Sequence, residues 1–135
     1  MKLQGKRIAY LVGPGFEDLE FYVPYMRLQE EGAEVVAVGI KAGEVYTGKV
    51  ALQAKADVGC DDVSAADFDG VVVPGGWAPD KIRRYAGVKR LVKESYDSGK
   101  IVGMICHAGL VGISAGIVAG HASTGSEGIK DDLLN

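Results

Sequence analysis

The chain has 135 residues, 47% of them hydrophobic and 24% charged, a size that predicts one domain with its own core. Fifteen basic and 18 acidic residues leave a net charge of −3, which argues against a nucleic-acid partner held by a broad positive field. Two cysteines and two histidines make neither a disulfide framework nor a zinc-ligand spacing, so no metal and no cofactor is expected.

The N-terminus, Met1 to Arg7, lacks the pattern of a signal peptide. No apolar run approaches the ~18 residues that span a bilayer, so no membrane partner and a cytoplasmic location are expected. Ile8–Val12 is then a short apolar run closed by Gly13-Pro14-Gly15. Glu34–Ile40, Gly70–Val73 and Ile101–Ile105 have the same character. Apolar toward both faces and rich in β-branched residues, these four segments read as buried strands of a parallel sheet. Residues 17–31 carry apolar side chains at helical spacing, with Pro24 predicting a kink or two abutting helices. Residues 45–52 alternate around Thr47-Gly48 and read as a hairpin. Ser64–Asp67 reads as a capped turn, residues 78–98 as a helix broken near Gly87, and residues 107–118 as the helix after the fourth strand. The basic residues from Lys81 to Lys93 fall at helical spacing and read as a solvated face. Helices alternating with parallel strands predict a doubly wound α/β sheet with right-handed crossovers.

In such sheets, ligands bind beyond the carboxyl ends of the strands. Three of those ends carry unusual residues: Gly13–Asp18, Pro74–Asp80, and Cys106-His107-Ala108-Gly109. Cys106 lies where a buried strand turns directly into a helix, a setting that favours a reactive thiolate. The alternative is a buried structural cysteine. His107 follows it, and its backbone N–H together with that of Gly76 could hold an oxyanion. With the first and fourth strands adjacent, Glu17 would face Cys106 across the crevice and share a proton with it. Otherwise Glu17 is a helix N-terminal acid, as Asp18 and Glu20 are read to be. Asp80 could orient His107 or serve only as another N-terminal acid. Cys60 reads as structural and His121 as a surface residue. A nucleotide-binding module is disfavoured, because Gly13-Pro14-Gly15 stops short of a phosphate-cradling glycine pattern.

Phe16-Glu17-Asp18-Leu19-Glu20, Val73 to Asp80, Ile105-Cys106-His107 with Ile113-Ser114-Ala115-Gly116, and Gly128 to Asp132 together resemble the PfpI intracellular protease family of the DJ-1/PfpI superfamily. The resemblance runs in register through residues 1–135 as a single domain. It implies a flavodoxin-like three-layer sandwich of the class I glutamine amidotransferase type, here without the C-terminal strand and closing helix usual in the family. It also implies Cys106 as nucleophile, His107 as base, Glu17 as the acid that bonds the sulfur, and Gly76 and His107 N–H as oxyanion donors. Asp80 stands where PfpI-type members usually have Glu, given across a subunit interface in a homodimer or hexamer. Ala108-Gly109 replaces the more usual Gly-Pro. The activity implied is a cysteine peptidase-like hydrolase, or alternatively a glyoxalase III or deglycase acting on methylglyoxal and its adducts. The substrate is thus a peptide or a small carbonyl compound. A third implication is a non-catalytic stress protein that senses oxidants through Cys106.

Overall fold

The computed structural model describes residues 1–135. Five parallel strands, β1 (Arg7–Leu11), β2 (Glu34–Gly39), β5 (Val58–Gly59), β6 (Gly70–Val73) and β7 (Ile101–Met104), form one sheet in the order β5-β2-β1-β6-β7. The chain builds leftward from β1 to β5 and then crosses back to β6, so the topological switch lies between β1 and β6. The fourth predicted strand, now β7, therefore neighbours β6 and not β1. Strand β5 has only two residues and carries no periodicity that would announce it.

Alternation along the strands divides the core into two layers. Ala9, Leu11, Val71 and Val73 point to one face, where Ile82, Val88, Leu91, Val92 and Val111 cover them. Those side chains belong to α2 (Ala78–Ile82), α3 (Ala86–Asp97) and α4 (Gly109–Ala115). Tyr10, Val12 and Ala37 point the other way, toward Phe21 of α1 (Asp18–Glu30) and toward Phe16 and Tyr46. The result is a three-layer α/β sandwich with a parallel central sheet. A last short helix, α5 (Lys130–Leu134), packs on α4. No helix is long and apolar enough to cross a membrane.

One helix expectation needs correction and another is met with a small offset. Pro24 neither kinks nor divides α1, which runs unbroken from Asp18 to Glu30. A proline at this position leaves the Glu20 carbonyl without its usual donor four residues on. The Tyr10 hydroxyl replaces it, donating to Glu20 O at 2.7 Å. Burial, and then the nearby Glu20 charge, push the Tyr10 phenol above its ordinary range, so it stays a donor. The break in the 78–98 segment falls at residues 83–85, ahead of Gly87. Gly87 lies inside α3 because the helix touches residues 60 and 61 there; a Cβ would come within 2.9 Å of Cys60 Sγ.

The predicted hairpin is present but wider. β3 (Val45–Thr47) pairs antiparallel with β4 (Gln53–Lys55) around a loop at 48–52. Asp18, 3% exposed, fixes that loop by accepting from the N–H groups of Val50, Ala51 and Leu52 at 2.9, 3.1 and 2.7 Å. Burial alone would raise the Asp18 pKa, but these donors outweigh it and hold the carboxyl below its usual range.

Candidate active site

Strand β7 delivers its chain to Ile105 in extended conformation and then to a 3-10 turn over Cys106–Ala108. Between them Cys106 adopts φ 60, the one positive φ in the chain outside glycine. An L-residue there costs roughly 1–2 kcal/mol, and such strain persists only where its surroundings enforce it. The enforcement is visible. Ala108 N–H donates to Ile105 O at 2.9 Å, and Ser126 N–H donates to Cys106 O at 3.1 Å. The thiol is half-buried, and its Sγ lies 3.3 Å from His107 Nδ1. Neighbouring side chains usually diverge; here the strained backbone turns both toward one side.

The loops after β1 and β6 are locked together beside this turn. Glu17 N–H donates to Gly75 O at 3.0 Å, and Trp77 N–H donates to Gly15 O at 2.8 Å. Together they form a single antiparallel bridge between Phe16 and Gly76. Gly76 takes φ 80, and a Cβ on it would collide with the backbone of Gly15, Phe16 and Glu17. The N–H groups of Gly76 and His107 find no acceptor in the chain.

The acids fall differently from the sequence expectation. Glu17 is the N-cap of α1, and its carboxylate accepts from Glu20 N–H at 2.8 Å. Because β6 separates β1 from β7, the adjacency that would have set Glu17 opposite Cys106 does not exist. Glu20 is the acid that reaches the thiol's surroundings. Its Oε2 accepts from Gly75 N–H at 2.8 Å. A Cβ at Gly75 would collide with that carboxylate and sit 2.7 Å from Cys106 Cβ, so the two side chains flank one glycine. Glu17 caps the helix and Asp18 holds the 48–52 loop, which leaves Glu20 as the acid of this segment that meets Gly75.

Asp80 turns elsewhere in the chain, pairing with Arg84 at 2.9 Å on an exposed surface. The mouth of the site is formed by Trp77, 52% exposed, whose ring lies 5.9 Å from that of His107. Lys49 Nζ sits 4.6 Å above the Trp77 ring. Away from the site, His121 meets Tyr96 OH at 2.6 Å on the surface. Cys60 is buried, which with the charge of Asp61 pushes its thiol pKa up.

The arrangement of a strained thiol, an adjacent imidazole, a facing carboxylate and two unpaired N–H groups suits addition to a carbonyl carbon. Comparison with known proteins agrees on the family. The DJ-1/PfpI family model matches residues 6–135. A deglycase of Pyrococcus abyssi is 40% identical over 129 residues, covering 96% of this chain and 77% of its own. YraA of Bacillus subtilis, named as a candidate cysteine protease, is 38% identical over 130 residues with the same coverage. A crystal structure from Anabaena variabilis, with one DJ-1/ThiJ/PfpI-like and one ferritin-like domain, superposes with a TM-score of 0.94 at 39% identity. That match covers 96% of this chain and 38% of the two-domain protein. With the family model over residues 6–135 and these identities, the chain is a member of the DJ-1/PfpI family.

Proposed function

We propose that the protein is a cysteine-nucleophile enzyme acting on 2-oxoaldehydes and their adducts, a deglycase or glyoxalase in kind. The observation that carries this reading is Cys106 at φ 60 with Sγ 3.3 Å from His107 Nδ1. The names of several relatives support it: deglycases from Pyrococcus and Thermococcus species at 36–40% identity, and a protein/nucleic acid deglycase of Escherichia coli at 34%.

In this scheme the Cys106 thiolate adds to the aldehyde carbon, and charge develops on oxygen near the Gly76 and His107 N–H groups. A proton leaves the former aldehyde carbon and is returned to the neighbouring ketone carbon, with Glu20 or His107 as carrier, while the proton given up by the thiol goes to the ketone oxygen. The aldehyde carbon is thereby oxidised and the ketone reduced, with no outside partner. Water then releases the 2-hydroxy acid from the thioester and restores the thiol. Glu20, and not Glu17, is assigned the proton-handling role, because Glu20 flanks Gly75 with Cys106. Glu20→Gln is expected to lower kcat/KM about 100-fold or more. Glu17→Ala is expected to cost about 1 kcal/mol of stability through the lost cap. Kinetics and urea unfolding of both variants check this, and the opposite pattern would return the role to Glu17.

A second reading, amide hydrolysis, draws on the same nucleophile and on the name of YraA. The two are separated by steady-state kinetics on methylglyoxal, its N-acetylarginine adduct and a fluorogenic peptide panel. Turnover of the first two with peptides left intact is the expected outcome. Peptide cleavage at the higher kcat/KM would make the enzyme a peptidase.

A further inference from the structure

We propose that Lys49 makes this site selective for carbonyl substrates that carry a carboxylate, an inference that rests on the carbonyl-addition reading and narrows its substrate class. Several independent contacts fix the backbone that carries this side chain to the mouth. Lys49 N–H donates to Phe16 O at 2.7 Å, and Gly15 N–H donates to Thr47 O at 2.9 Å. They tie the end of β3 and the start of the 48–52 loop to the segment that also bridges Gly76. Asp18 clamps the loop's next three N–H groups from below. The ammonium is left 4.6 Å above Trp77, and Trp77 in turn stands against His107.

Charge makes the placement consequential. No carboxylate lies within ion-pair distance of Lys49, although the chain is acidic overall. Beside Gly75 lies Glu20, which also has no Lys or Arg partner, together with a thiol that must become a thiolate to react. A dicarboxylic or carboxylate-bearing substrate would be repelled from these groups unless a cation received its charge. Lys49 is the cation at the mouth, set back from the thiol by the widths of Trp77 and His107. A carboxylate carried on a chain that runs outward from the aldehyde, past His107 and Trp77, heads toward this ammonium. Trp77, itself exposed, supplies an apolar face for the intervening methylenes and holds the ammonium by a cation–π contact.

The test compares 4,5-dioxopentanoate with neutral 2-oxopentanal, two 2-oxoaldehydes of equal chain length, on the full chain. The wild type is expected to prefer the anionic substrate. In Lys49→Met the ratio of the two kcat/KM values should fall about tenfold, mainly through KM for the anion. Lys49→Arg should restore the ratio, and raising salt should erode it in the wild type. A ratio that Lys49→Met leaves where it was, with both substrates turned over, overturns the assignment while the carbonyl chemistry survives. If the wild type converts neither substrate, the carbonyl reading itself fails and this inference falls with it.

Discussion

Cys106→Ser is expected to lower kcat/KM on methylglyoxal by at least ~1,000-fold, about 4 kcal/mol of transition-state stabilisation. A thiol near neutral pH supplies a useful fraction of thiolate, whereas a serine hydroxyl needs a base to remove its proton during attack. The neighbouring His107 Nδ1 is aimed at the sulfur position. A serine oxygen sits closer to its Cβ than sulfur does, which lengthens that contact. Serine keeps the backbone at φ 60 under the same local enforcement, and the residue is half-buried. The stability change should therefore stay within about 1 kcal/mol, and urea unfolding of the variant checks it. Loss of activity with an intact fold assigns the effect to chemistry. An active serine variant would remove Cys106 from the reaction.

Gly76→Ala is expected to destabilise the fold by about 2–4 kcal/mol, combining a left-handed residue with forced displacement of neighbouring backbone. At φ 80 the added methyl meets the backbone of Gly15, Phe16 and Glu17, and none of these can rotate aside as a side chain could. The Phe16–Gly76 bridge would open, and one oxyanion donor would move with it. Gly43→Ala is the matching control. Gly43 has φ 79, yet its Cβ would meet nothing within 4 Å, so only the conformational cost of about 1–2 kcal/mol remains. Urea midpoints of the two variants separate the terms. Equal losses would mean that the close approach at Gly76 is not a constraint.

Much of the layering was legible because buried parallel strands are apolar on both faces, as in Ile8–Val12 and Gly70–Val73. The cysteine was legible for a related reason: a strand that ends directly on Cys106-His107 must place them at the sheet's carboxyl edge. Strand order was less accessible, since β1, β2, β6 and β7 have similar compositions and nothing local says which pair. Only an adjacency of the first and fourth strands would set Glu17 opposite Cys106, and the sheet lacks it. The two-residue β5 is too short to show a period. Pro24 misled for a different reason. Its disruption of α1 is offset by a hydroxyl from Tyr10, fourteen positions earlier, and a helical pattern contains no trace of that donor. The Lys49–Trp77 contact joins two loops that meet only after the sheet has formed.

Mass spectrometry of the enzyme acid-quenched during methylglyoxal turnover tests the central claim most directly. The expected result is a substrate-derived adduct on the peptide that contains Cys106, absent from Cys106→Ser and lost once substrate is exhausted. Continued turnover with Cys106 unmodified, and adducts confined to Cys60 or lysines, would contradict the assignment of Cys106 as the nucleophile.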